Sequence, residues 1–247
     1  THWLAAKRPD RAAEYALRAA ERASRALAFD RAARMYRLAL ELEGNGPRVV
    51  ELRRHLVDAL SHAGREAEAA DERLVLATAL APHDALEQRR RAAEQLLRSG
   101  HHERGLALLL ELLAVAGLPY PRSPLFVVLR LLWVRLLLSW KPLPHTLHFD
   151  ARDDDAHALR VDIACSAASG FSMTDNVRGA YFQAVALREA LAVGEPERLI
   201  HALCMDICFR ATGAHRVVAD IDARLAHLDG LAAQAPTGPV RAMVEVA

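Results

Sequence analysis

The sequence predicts an all-α protein, a superhelical array of antiparallel helix hairpins of the α-solenoid class. Three observations predict it. Alanine, leucine and arginine dominate, aromatic residues make up 5%, and β-branched runs are short, which is helix-forming composition. Within Phe29–Leu40, Ala32, Tyr36 and Ala39 follow at steps of four and three, so they share one helix face. The small Ala32 leaves room for a partner helix. That pattern then returns down the chain at intervals of about 37 residues.

The elements follow in order. Asp10 suits the cap of a helix with the apolar stripe Ala13, Ala16, Leu17, Ala20 and Ala23. The next helix runs to Glu43 and is stopped by Asn45-Gly46. Pro47 suits the first turn of a third helix, which carries Val49, Leu52, Leu56, Val57 and Leu60 and ends at Gly64. Its partner spans Arg65 to Ala81 and is closed by Pro82. Another helix spans Asp84 to Arg98, with Ala92, Ala93, Leu96 and Leu97 apolar. Ser99-Gly100 ends it, and its partner runs from His102 to Ala116, before Gly117-Leu118-Pro119.

Pro124 to Trp140 is a helix of unusual apolarity, broken by Lys141-Pro142-Leu143-Pro144. It is short for a membrane span and contains Arg130 and Arg135. No acidic residue occurs from Leu112 to Phe149. The leading reading is a core helix filling the solenoid. The others are a helix resting on a membrane surface and one docking a partner or a second copy. Beyond it, Asp155 to Ser172 buries Ala164, Ala167, Ala168 and Phe171. A turn at Met173–Asn176 leads into Val177–Val193. Gly194-Glu195-Pro196 restarts the chain, and Leu199–Thr212 with His215–Ala233 makes the last full hairpin. Pro239–Ala247 reads as a helix cut mid-course, with fraying or self-association expected there. The chain is expected to be a piece of a longer protein.

Aligning the hairpin turns places Leu27, Gly64, Gly100, Asp175 and Gly213 at equivalent points. Four residues before each stand Ala23, Leu60, Leu96, Phe171 and Phe209. Five after stand Ala32, Ala69, Gly105, Ala180 and Val218, and twelve after stand Ala39, Leu76, Leu112, Leu187 and Leu225. These columns come close to a tetratricopeptide pattern, a degenerate one because Arg73 and Asp222 occupy positions that usually hold a large apolar residue. The organisation expected is tetratricopeptide-like repeats over 1–120, an apolar connector helix and Pro-containing linker over 121–152, and further repeats over 153–247.

Chemistry is sparse. The formal net charge of +1 gives no electrostatic reason to expect nucleic acid as a partner. The three cysteines, Cys165, Cys204 and Cys208, suit a reducing cytoplasm; Cys204 and Cys208 share a helix face and are read as buried thiols rather than a zinc site. His145, His148 and Asp150 could touch a metal, but no third neutral ligand is fixed by helical spacing. Asp153-Asp154-Asp155 charges the start of the next helix and lacks the glycine of a calcium loop. Phosphate-binding loop, kinase motifs and nucleophile elbow are all missing; His215-Arg216 is followed by Val217 rather than aspartate. No catalytic, cofactor-binding or metal-binding residue is assigned, and the segment is not expected to be an enzyme.

Cys165 to Gln183, above all the run Ser172–Gln183, resembles a segment of large bacterial signalling proteins. Those proteins join a serine/threonine kinase to a STAND-type ATPase and a C-terminal tetratricopeptide-like array. Arg11–Ala23 is similar to the start of that array and Arg91–Gly100 to a middle hairpin; Pro124–Trp140 is more apolar than the family's pattern. The resemblance implies a cytoplasmic, non-catalytic regulatory arm, with kinase and ATP-binding chemistry upstream of Thr1. The partner would be a protein or peptide in a concave groove, or the parent's own kinase and ATPase modules. In tetratricopeptide geometry Glu14, Glu21, Arg54, Asp58, Arg90 and Glu94 would face that groove. A membrane partner is not expected. A sensor arm of a STAND-class transcription activator, or a small-molecule sensor with a pocket beside Pro124–Trp140, are the alternatives.

Overall fold

The structure is a computed structural model that describes residues 9–141, 143–144, 146–147, 155–211 and 218–234. Its regular elements are helices: α1 Pro9–Arg25, α2 Phe29–Glu43, α3 Val49–His62, α4 Glu66–Ala77, α5 Pro82–Arg98, α6 His102–Val115, α7 Pro124–Ser139, α8 Asp155–Ser172, α9 Asn176–Val193, α10 Pro196–Ala211 and α11 Val218–Ala232. There is no strand among the described residues. The chain forms two compact units, Thr1–Leu108 and Leu109–Ala247, divided within α6.

In the first unit each helix packs on the next in sequence, from α1 to α5. The alanine stripe of α1 and the Ala32–Tyr36–Ala39 face of α2 are buried in one core with Leu52, Leu56 and Leu60 of α3. Tyr36 stacks on His55 with ring centres 5.4 Å apart. Three turns reverse the chain in the same way. The amide of Ala28 donates to Ala23 O, that of Arg65 to Leu60 O, and that of His101 to Leu96 O, at 2.8–2.9 Å. Each closes over a residue at positive φ: Leu27 at 57°, Gly64 at 72° and Gly100 at 83°. This is a Schellman ending, which needs left-handed backbone and so favours glycine. Leu27 occupies the first with its side chain 74% exposed.

The helix limits differ from the expected ones at several places; α10, for one, begins at Pro196 rather than Leu199. α1 begins at Pro9, so Asp10 lies in its first turn rather than before it. α4 stops at Ala77, where Thr78 Oγ1 donates to Val75 O at 2.8 Å. Pro82 opens α5 instead of closing α4, as its fixed φ and missing N–H suit a first turn. Gly213 and His215 lie outside the described residues. Arg73, the repeat's misfit, is held by polar neighbours: its Nε donates to Gln95 Oε1 and its Nη1 to Gln88 Oε1, both at 2.8 Å. Buried Gln95 in turn donates to Ser61 Oγ at 2.8 Å. Burial pulls the Arg73 pKa down from its ordinary value.

The second unit is built around α9, which packs against α7, α8 and α10. Tyr181 to Leu187 are all buried, so this stretch of α9 is covered on every side, and six of its seven residues are hydrophobic, Gln183 being the polar one. Asp175 caps it, accepting from the amides of Val177 at 3.1 Å and Arg178 at 3.0 Å. Gly179 explains the close approach of α8. A Cβ there would lie 3.0 Å from both Ser172 Cα and Ser172 N. Ala180, the expected small contact, is only partly buried, so the small column shifts by one residue here. Phe171, Tyr120 and Phe182 form a triangle of stacked rings, with centres 5.6, 5.5 and 6.5 Å apart. Arg178 lies over Tyr120 and donates to Arg122 O at 2.8 Å, and Tyr181 Oη donates to Pro119 O at 3.3 Å. The run Ser172–Gln183 thus pins the segment 119–122 onto α9.

Candidate functional site

α7 is the odd element of the second unit. Its apolarity predicts a core helix, and the structure corrects this: only Val127 and Val134 are buried. At 100° per residue these two share one side, toward α9, the described helix on which α7 packs. The opposite side is apolar and solvent-facing. Trp140 is 75% exposed and Leu125 67%, with Phe126, Leu129, Leu132, Trp133 and Leu136 also exposed. These side chains present on the order of 800 Å², at ~150–250 Å² per large apolar group. That exceeds the ~300–600 Å² patch of an ordinary monomer and equals one side of a standard interface, ~800 Å².

The surroundings of this face are basic. A hollow of about 370 Å³ beside it is lined by Pro119, Arg130, Trp133, Val134, Tyr181 and Arg188. Another of about 350 Å³ is lined by residues that include Arg122, Phe126 and Arg130. Among the described residues lining either hollow there is no carboxylate.

Behind α7 lies a charged cluster that sequence reasoning missed. Asp206, wholly buried on α10, receives Arg135 of α7 at Oδ1. Its Oδ2 accepts from Arg210 Nε at 2.7 Å and Arg224 Nη1 at 3.2 Å. Arg135 also donates to Oε1 of buried Gln183 at 2.7 Å. The Nε2 of Gln183 is buried with no hydrogen-bond partner among the described residues. Burial by itself pushes the Asp206 carboxyl up, but the charges of Arg135 and Arg210 outweigh it and hold the pKa below the ordinary value. A signal was present in the sequence: one arginine inside an otherwise apolar helix face, and one acid inside the apolar run Leu203–Cys208. Two such residues have no reason to be there unless they meet.

The other expected sites fare unevenly. Arg90 and Glu94 come together, with Nη1 and Oε1 2.6 Å apart, and Arg90 also grips Glu87 at 2.7 Å. Glu14 pairs with Arg18 along α1 at 2.6 Å, while Glu21, Arg54 and Asp58 are exposed. Cys165 and Cys204 are buried thiols, whereas Cys208 is exposed, which corrects the expectation for it. Its place is on the outer side of α10. Among the described residues no three His, Cys, Asp or Glu side chains gather as a metal site. His145, His148 and Asp150 lie outside those residues. No helix among the described residues is long and apolar enough to cross a membrane.

Fold and surface together define an all-helical chain with an uncovered apolar helix face in a basic setting. No protein-family model, curated protein or solved structure matches the chain.

Proposed function

We propose that this chain is a non-catalytic protein-interaction scaffold, its hairpins stacked as a tetratricopeptide-like α-solenoid. It acts in the cytoplasm as the regulatory arm of a larger signalling protein of the kinase–ATPase type. The observation that supports this reading most is the exposed apolar face of α7, because a large uncovered apolar patch marks an interaction surface. Its occupant is an amphipathic helix of a partner protein, or of the parent's own modules, with acidic residues flanking its apolar stripe. Charge favours this over a second copy. A two-fold pairing of α7 would bring Arg122 and Arg130 against their own kind, while an acidic rim complements them; Arg188 already pairs with Glu189 at 2.6 Å. Shape favours it over a bilayer, since the two hollows beside α7 accept the side-chain ridges of a helix.

The test uses two synthetic helical peptides with the same leucine face, one flanked by glutamates and one by lysines. Trp133 and Trp140 report binding by fluorescence. The glutamate peptide is expected to bind at least tenfold more tightly than the lysine peptide, and Leu132→Glu to abolish its binding. Equal binding of both peptides, no binding of either, a dimer by sedimentation that Leu132→Glu dissolves, or uptake onto lipid vesicles would overturn the assignment.

A further inference from the structure

Arg122 and Arg130 meet in one hollow, of about 350 Å³, at the N-terminal end of α7. Neither guanidinium has a hydrogen bond or an ion pair among the described residues. The other arginines around α7 and α9 are matched: Arg178 by Asp175, Arg188 by Glu189 and Arg135 by Asp206. No carboxylate is among the described residues that line the hollow, so its two positive charges stand together without a counter-charge in the wall. Ser123 borders it as well. This serine stands at the N-cap of α7, where a hydroxyl commonly accepts from the helix's own amides, yet it makes no such bond. Tyr120 brings a second hydroxyl with no hydrogen-bond partner among the described residues. The wall is held in place from α9. Arg178 donates to Arg122 O at 2.8 Å and lies over the Tyr120 ring.

We infer, on the docking reading given above, that this hollow receives a phosphorylated side chain of the partner helix, so that phosphorylation strengthens docking on α7. A phosphate monoester carries about −1.5 to −2 charges at neutral pH and three strong acceptor oxygens. Two guanidinium groups match that charge and offer forked donors to those oxygens. A glutamate brings one charge and leaves the second arginine unmatched. The phosphodiester of a common bilayer lipid also carries a single charge, which favours a phosphorylated protein over a membrane. Phe126 belongs both to the hollow and to the exposed apolar face, so a helix lying along that face carries one of its ends over the two arginines. The fixed backbone at Arg122 means that part of the site is ordered before the phosphate arrives, which lowers the cost of binding it.

The experiment uses the full chain and the glutamate-flanked leucine peptide with one serine near each end, phosphorylated at the first, at the second or at neither. Trp133 and Trp140 report binding by fluorescence. Phosphate at one end is expected to tighten binding by about tenfold or more, and phosphate at the other end to leave it nearly unchanged. Arg122→Gln and Arg130→Gln should each cut that gain by about threefold or more, and the double variant should remove it. The melting temperature of the free chain should not move, because neither guanidinium is bonded within it. If the unphosphorylated peptide binds and phosphate at neither end tightens it, the phosphate site is overturned and the docking face stands. An equal gain at both ends, or a gain that survives the double variant, overturns the site as well, because the charge is then felt diffusely. If no peptide binds, docking face and phosphate site fall together. Vesicles of phosphatidic acid that bind through Arg122 and Arg130, with no gain from either phosphopeptide, would also overturn it and give the hollow to a membrane.

Discussion

Neutralising Asp206 is the sharpest perturbation available. Asp206→Asn keeps the shape of the side chain and removes the one charge that three guanidinium groups share. The amide can still accept at one oxygen, but its nitrogen then faces arginine donors. Asp206 is 0% exposed, and the side chains of Arg135, Arg210 and Arg224 are 24%, 27% and 23% exposed. Breaking a buried ion pair by removing one partner costs about 3–5 kcal/mol, and the partial access of these arginines to water places the cost near 3 kcal/mol. With a urea slope of about 2 kcal/mol per molar, the midpoint should fall by about 1.5 M. The assay is urea unfolding followed by fluorescence in a Trp3→Phe background, where the remaining indoles are Trp133 and Trp140, at α7 and its end. Arg135→Met should cost less when added to Asp206→Asn than when made in the parent chain, because the two residues share one contact. A loss below about 1 kcal/mol, or strict additivity of the two changes, would refute the view that this cluster holds α7 in place.

Four further outcomes follow from the same geometry. Asp206 titrates below its unfolded value in the folded chain, so its contribution is complete above the ordinary aspartate range. It is lost as pH falls through the lower folded pKa. Acid titration of stability should therefore show a steeper loss below about pH 4 in the parent than in Asp206→Asn. Leu27→Gly relieves a left-handed leucine and should stabilise the first unit by about 0.5 kcal/mol, after the extra freedom of glycine in the unfolded chain is counted; a lower urea midpoint would contradict this. Gly179→Ala should cost about 1–2 kcal/mol because its Cβ meets backbone of Ser172, whereas Gly230→Ala meets nothing within 4 Å and should gain up to about 1 kcal/mol. Burial, aided by Cys208, pushes the Cys204 thiol up to about 11, so a thiol reagent at pH 8 should label Cys208 alone in the native chain and all three cysteines in denaturant.

The helical character and the hairpin turns are legible in the sequence because each rests on local rules. The Ala32–Tyr36–Ala39 face obeys helical period, and Gly64 and Gly100 announce left-handed endings. Pro82 misleads because proline stops one helix and starts another with equal ease, and only the backbone shows which. The shift from Ala180 to Gly179 turns on a single residue of register between α8 and α9, below the resolution of a column alignment. For α7, apolarity predicts burial, but the sequence does not carry the number of neighbours a helix finds. The Asp206 cluster is non-local: Arg135, Gln183, Asp206 and Arg224 come from four helices, and no spacing rule joins them. Within Ser172–Gln183, Gly179, Tyr181 and Gln183 each have a specific role in packing or hydrogen bonding, so this run is fixed by its neighbours in the fold.

The order of synthesis gives α9 a further meaning. α7 emerges from the ribosome well before the helix it packs on. At ~5–20 residues per second, Val127 and Val134, the side of α7 that α9 covers, stay naked for a few seconds on the nascent chain. A chaperone that grips short apolar stretches has its clearest target there, and release should wait until residue 193 has cleared the exit tunnel. Slowing translation between 140 and 176 would lengthen that window and raise the aggregated fraction, without altering a single contact in the finished molecule.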